Sequence, residues 1–257
     1  MDATTESQTA AGPLPPADPG APKAIDPTGE PPRDTASPIV GPAVRAWLAY
    51  VVPLTILSAI ALSPLIALAL ATPAPADLAG VRRVLMHGWT LVAIAWPGQL
   101  VLVGGAAAVT RGPRSQLGAL GSGLVQLVRA AVPCGVAAAA VAIGCLALAV
   151  PGPILLVLLA LTGASRERGL PAPLVDSIAA ARRQLPAVAV AVAALVAIDA
   201  AIGLGAFRAF VAPLPPRPAP AQLAVIRGFV RAIALALVVA SPLPATVLAT
   251  IRARGEP

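Results

Sequence analysis

Long stretches of this chain carry no charged side chain. Between Arg45 and Asp77, Arg83 and Arg111, Arg129 and Arg166, and Arg231 and Arg252 there is no Asp, Glu, Lys or Arg. Asp199 is the one interruption between Arg183 and Arg208. A bilayer core about 30 Å thick is crossed by roughly 20 apolar helical residues. In lipid only helices and closed barrels satisfy every backbone polar group. These runs, built mainly from Ala, Leu and Val, therefore predict transmembrane helices. Composition points the same way. Of 257 residues, 58% are hydrophobic and 11% charged, whereas soluble domains carry about 25% charged residues. A water-soluble domain is excluded. A net charge of +7 would suit a nucleic acid only if basic residues clustered with aromatics on a solvated face. Aromatics are 3% and the arginines stand at the ends of apolar runs, so no nucleic-acid partner is expected.

The charge divides unevenly. In residues 1–43, Lys23 and Arg33 stand against Asp2, Glu6, Asp18, Asp26, Glu30 and Asp34, a net −4. Residues 44–257 hold sixteen Arg against five acids, a net +11. The N-terminal part has few large apolar residues to offset ordering entropy, so a disordered, Pro-rich acidic tail is expected. Pro13, Pro15, Pro16, Pro19 and Pro22 favour a partly extended tether, with a docking peptide as the alternative. The tail lacks the basic start and apolar centre of a signal peptide. The first apolar segment is thus expected to be retained.

The reading is an all-α polytopic membrane protein, a bundle of six transmembrane helices over residues 44–257. The expected spans are 46–72, 84–110, 130–150, 154–170, 187–208 and 231–251. Pro151, Gly152 and Pro153 predict a tight hairpin between the third and fourth, because proline removes a backbone donor and clashes with the preceding turn. The fourth run is short, so a re-entrant hairpin is its alternative. Leu117–Val128 has one-face apolar spacing and predicts an interfacial approach to the third span. Leu174–Leu185, with Asp176, Arg182, Arg183 and Gln184, is expected to lie flat before the fifth. Eleven Arg fall on one side of this arrangement and six on the other. The positive-inside rule makes the richer side cytoplasmic and places both termini there, in a cell (inner or plasma) membrane. Anionic lipid headgroups at the Arg-rich cytoplasmic loops are the expected partners.

One stretch, Ala142–Pro186, has a recognisable order. Gly144 lies in an apolar helix, Pro151-Gly152 makes a turn, and a second apolar helix ends near Glu167. Gly169 lies in the linker, Ser177 in an amphipathic segment, and an apolar run follows Pro186. This resembles a bacterial membrane family that includes YciC-like proteins and the membrane domain of glycerophosphoryl diester phosphodiesterases. The upstream Arg111–Leu120 resembles that family's basic loop. Pro153, the arginines around Glu167 and Leu174-Val175-Asp176 depart from the pattern. The resemblance implies six membrane helices. No phosphodiesterase catalytic domain is present, so hydrolysis does not carry over.

Signals for chemistry are sparse. His87 has no neighbouring His, Cys or carboxylate, and a metal site needs three or four ligands. Cys134 and Cys145 are about 16 Å apart along a helix, beyond disulfide reach. Gly121-Ser122-Gly123 lacks a base near the serine. The chain has no Gly-Lys-Ser/Thr phosphate loop and a single lysine, in the tail. No catalytic residue, metal or cofactor is expected. Arg129, at the start of the third span, is expected to snorkel to the headgroups.

Asp199 is the most informative residue. It lies about 20 Å beyond Pro186 along a helix, deep in the bilayer, where a charge costs about 2.5–3.5 kcal/mol. It is either a proton or cation site or a hydrogen-bonded packing residue, and the second is preferred. Gly203 and Gly205 would let a neighbouring backbone approach. Ser241 precedes Pro242 and Pro244, which should break the sixth span. Asp199 and Ser241 are therefore the candidate intramembrane polar site. The functional expectation is a non-enzymatic membrane role, in assembly or envelope support. The alternative is a secondary transporter or channel that uses Asp199 and the broken helix.

Overall fold

Proline decides where most helices of this chain start and break. The computed structural model describes residues 37–75, 77–111, 115–148, 151–167, 169–213 and 220–255. They form eleven α-helices, one 3-10 turn and, among the described residues, no strand. The helices are α1 (Ser37–Ala49), α2 (Val51–Ala61), α3 (Ser63–Ala71), α4 (Leu78–Ala93), α5 (Trp96–Thr110) and α6 (Gln116–Leu148). Then come α7 (Pro151–Leu159), the 3-10 turn Thr162–Ala164, α8 (Ala172–Arg183), α9 (Leu185–Phe210), α10 (Pro220–Ala240) and α11 (Pro242–Arg254). Helices α3, α5, α8, α9 and α11 each carry a proline in their first two positions. There the missing N–H is not needed and the fixed φ suits the helix. Helix α4 starts instead on an acid, Asp77, whose Oδ1 accepts from Gly80 N at 2.6 Å, satisfying an orphan donor of the first turn.

Four helical stretches are long and apolar enough to cross a membrane: Ala79–Thr110, Gln116–Leu146, Leu185–Phe210 and Val225–Arg254. They match the predicted second, third, fifth and sixth spans. A fifth is reached if α1 and α2, which meet at 88°, count as one broken span. Six straight spans do not form. The predicted first span, 46–72, is divided among α1, α2 and α3, and α1 already begins at Ser37, inside the segment assigned to the tail. The bend has a local cause. Pro53 has no N–H for the carbonyl of Ala49, and Gln116 Nε2 of α6 donates to that oxygen at 2.8 Å instead.

The predicted fourth span is the other departure. Pro151–Ala164 is a shorter apolar segment, about 21 Å long if fully helical. Pro151, Gly152 and Pro153 form the first turn of α7, and residues 149–150 before it lie outside the described residues. The segment starts against Gly144 and Cys145 of α6, where Gly152 has no room for a side chain. It ends beside Gln126 of the same helix. Leu117–Val128, expected as a separate interfacial helix, is continuous with the third span in α6. Pro133 lies inside this helix without interrupting it.

Helix α5 is the axis of the larger core. It packs against α2, α6, α11 and the 3-10 turn. Its run Gly104-Gly105-Ala106-Ala107 is buried throughout, and such small residues let membrane helices approach closely. The closest approach joins Gly104 and Gly163: a Cβ on Gly163 would strike the carbonyl of Leu100, and one on Gly104 the carbonyl of Gly163. A second core gathers Leu62 at the α2–α3 junction, Leu65 of α3, Val84 and Leu91 of α4, and Ile226, Phe229, Ile233 and Leu237 of α10.

Candidate functional site

Helix α9 buries one stripe: Val188, Ala191, Val192, Leu195, Asp199 and Gly203. These positions recur at helical spacing, so the carboxyl group of Asp199 points inward with its apolar neighbours. It meets Gln99, in the first turn of α5. Gln99 Nε2 donates to Oδ1 and Oδ2 of Asp199, each at 3.0 Å, and to Ser241 Oγ at 3.1 Å. Ser241 stands in the one-residue gap between α10 and α11. All three side chains are buried, and Asp199 keeps 7% of its surface. One amide thus ties together α5, α9 and the α10–α11 break.

The two candidate residues, Asp199 and Ser241, are therefore brought to one place, but through a third that sequence reasoning passed over. The available signal was Gln99 itself, an amide inside a long uncharged run. Pro242 and Pro244 open α11 as expected, and Thr246 Oγ1 donates to the Pro242 carbonyl at 2.7 Å. This is the ordinary bond of a helical threonine to the carbonyl four residues before it. The triad is closed. The void beside Gln99 holds about 10 Å³ and is walled by Trp96, Leu100, Leu156, Leu195 and Leu248. That is room for one water at most. Gln99 Oε1 has no hydrogen-bond partner among the described residues.

The other singled-out residues fall elsewhere. His87 is half-buried on α4, and its Nδ1 has no partner among the described residues. No described group of three or more His, Cys, Asp or Glu could hold a metal ion. Cys134 is buried and Cys145 exposed, both as free thiols. Ser122 Oγ donates to its own helix at Ala119, and Gly123 makes room for Leu57 of α2. Gly203 faces the Trp89 ring, a side chain where a neighbouring backbone was expected. Gly205 faces open space.

A second polar region forms where the 3-10 turn meets α5, α6 and α8. Arg111 Nη2 donates to the Ala164 carbonyl at 2.7 Å. Gln126 Nε2 donates to the carbonyls of Gly163 (3.2 Å) and Ser165 (3.3 Å). These bonds hold a turn that has few partners of its own. Ser165 Oγ donates to Asp176 Oδ2 at 2.6 Å, and Arg252 Nη2 donates to both Asp176 oxygens at 2.8 and 2.7 Å. The pair ties α8 to α11. Ser177, buried on α8, donates to Leu158 O at 2.9 Å. Gly169 turns the chain between these elements at φ +73°, a conformation that residues with a Cβ rarely adopt. A cavity of about 380 Å³ opens here, and its lining includes Arg111, Arg129 and Arg166. Arg227 and Arg231 of α10 line a different cavity, with Ala74 and Phe210.

Comparison with known proteins returns nothing. No family model, curated protein or solved structure matches this chain.

Proposed function

We propose that this is a non-enzymatic multi-pass protein of a bacterial inner membrane, with a role in membrane assembly or envelope support. The single observation that carries this reading is the closed Gln99–Asp199–Ser241 triad. A transport or catalytic site must admit a substrate, whereas this triad is buried, touches a void the size of one water only at Gln99, and joins helices. Polar residues inside a membrane bundle hydrogen-bond across helices and fix their packing. We also place both termini on the cytoplasmic side. Support comes from Arg111, Arg129 and Arg166 lining one cavity and Arg252 pairing with Asp176, all from the side richer in arginine.

The proposed kinship with the YciC-like group is supported by what its pattern residues do here. Gly144 packs on Gly152, Gly169 turns the linker and Ser177 bonds to Leu158. Each shapes the hairpin and none is set for chemistry. A secondary transporter is the second reading, favoured by the unpartnered Gln99 Oε1 beside Asp199. The test is flux in proteoliposomes of the full chain. The structural reading expects no proton- or ion-coupled flux above protein-free vesicles. Flux that Asp199→Asn abolishes would establish the transporter, and turnover of a lipid or peptide by the purified protein would establish an enzyme.

A further inference from the structure

We infer that the cavity between α5, α6, the 3-10 turn and α8 binds the phosphodiester headgroup of an anionic phospholipid. The inference rests on the membrane reading above and gives it a defined ligand site. Three guanidinium groups, Arg111, Arg129 and Arg166, line the cavity against one carboxylate, Glu167. Guanidinium is the side chain best matched to phosphate oxygens, because its planar fork makes paired N–H···O bonds. Arg111 is already held in place by its bond to Ala164 O, so its position is set before a ligand arrives. Arg129 is exposed and makes no hydrogen bond or ion pair among the described residues.

An independent observation points to a ligand. Thr162, in the 3-10 turn, lines the same cavity and is 1% exposed, yet its Oγ1 has no hydrogen-bond partner among the described residues. A buried hydroxyl without a partner is costly. A phosphate oxygen in the cavity would supply the missing acceptor once the Thr162 side chain turns toward it, since its Oγ1 has no surface open to the cavity.

The surroundings select a lipid over a free anion. From Arg129 to Leu148, α6 runs about 28 Å, close to the thickness of the hydrocarbon core. The cavity mouth therefore lies at headgroup depth. Val132, Val136 and Ile143 of α6, on the membrane side of Arg129, are all exposed. At spacings of four and seven they form one outward stripe, and Val132 also borders the cavity. A headgroup on the arginines places an acyl chain along these side chains. Free phosphate would use only the polar end.

The test uses the full chain, purified in detergent, with thermal unfolding followed on titration of three probes at matched ionic strength. These are phosphatidylglycerol, phosphatidylcholine and inorganic phosphate. The site predicts that phosphatidylglycerol raises the Tm of the wild type and that the other two do so far less. Arg129→Gln and Arg166→Gln should each weaken the phosphatidylglycerol response about tenfold or more, since hydrogen bonds to charged groups contribute about 1.5–3 kcal/mol. Arg227→Gln, at the other arginine cavity, should not. Thr162→Val, which removes the hydroxyl with little change in shape, guards against an Arg variant that misfolds and should also weaken the response. Equal responses in wild type, Arg129→Gln and Thr162→Val would overturn the site. An inorganic phosphate response equal to that of phosphatidylglycerol would overturn the lipid assignment. Extraction of the expressed protein from membranes by alkaline carbonate would instead overturn the membrane reading, so the two failures are distinguishable.

Discussion

The molecule places its polar groups in two regions that differ in what they leave over. In the core, Gln99 Nε2 faces Asp199 and Ser241 together, and apolar side chains wall the group in. At the rim, the donors of Arg111 and Gln126 fasten a 3-10 turn, yet a cavity with three arginines and the unpartnered Thr162 hydroxyl remains open beside it. In lipid, a buried polar group finds a protein partner or goes unsatisfied. The core region uses its donors between helices and leaves one buried acceptor, Gln99 Oε1, beside a void of about 10 Å³, while the rim keeps three arginines around an open cavity of about 380 Å³. The difference separates a packing device from a binding site, though both are small clusters in a very apolar sequence.

Five substitutions probe this division, in order of expected effect on stability. Gly163→Ala should cost most, about 1–3 kcal/mol. Its Cβ would meet the Leu100 carbonyl and the Gly104 backbone, forcing the rim away from the core; thermal unfolding of the purified protein measures this. Gln99→Leu should follow at about 1–2 kcal/mol, the upper range for interhelical polar contacts in membranes. In the same measurement Asp199→Asn should cost less, because an Asn can still accept from Gln99. Arg252→Gln should cost about 0.5–1 kcal/mol, as its pair with Asp176 is partly exposed, at 11% and 25%. That loss should shrink in high salt, which repeating the unfolding at several ionic strengths would show. Arg129→Gln should change unliganded stability least, within about 0.5 kcal/mol.

Much of the fold could be read from residue order, because charge placement and length dictate spans in a bilayer. The arginine-bounded runs around α4–α5, α6, α9 and α10–α11 match the observed long helices. The first run could not be resolved the same way. Hydropathy is blind to Pro53 starving the Ala49 carbonyl and to Gln116 rescuing it from another helix. Nor does an apolar count distinguish a full span from the short α7 segment, whose end is fixed by contact between Gly163 and Gly104. Asp199 stood out in the sequence because an acid in a bilayer is costly. Gln99 did not, because an amide carries no formal charge and its role exists only once α5 and α9 are packed. Arg111, Arg129 and Arg166 stood in the sequence as separate charges at the ends of apolar runs, and only the packing of the 3-10 turn against α6 gathers them, with Thr162, around one cavity.

The triad holds the bundle together while the arginine cavity binds. The direct measurement compares Gln99→Leu and Arg129→Gln for two quantities, the unliganded Tm and the Tm rise on adding phosphatidylglycerol. Gln99→Leu should lower the first and keep the second, and Arg129→Gln should keep the first and lose most of the second. A lipid response lost in Gln99→Leu and retained in Arg129→Gln would contradict the account.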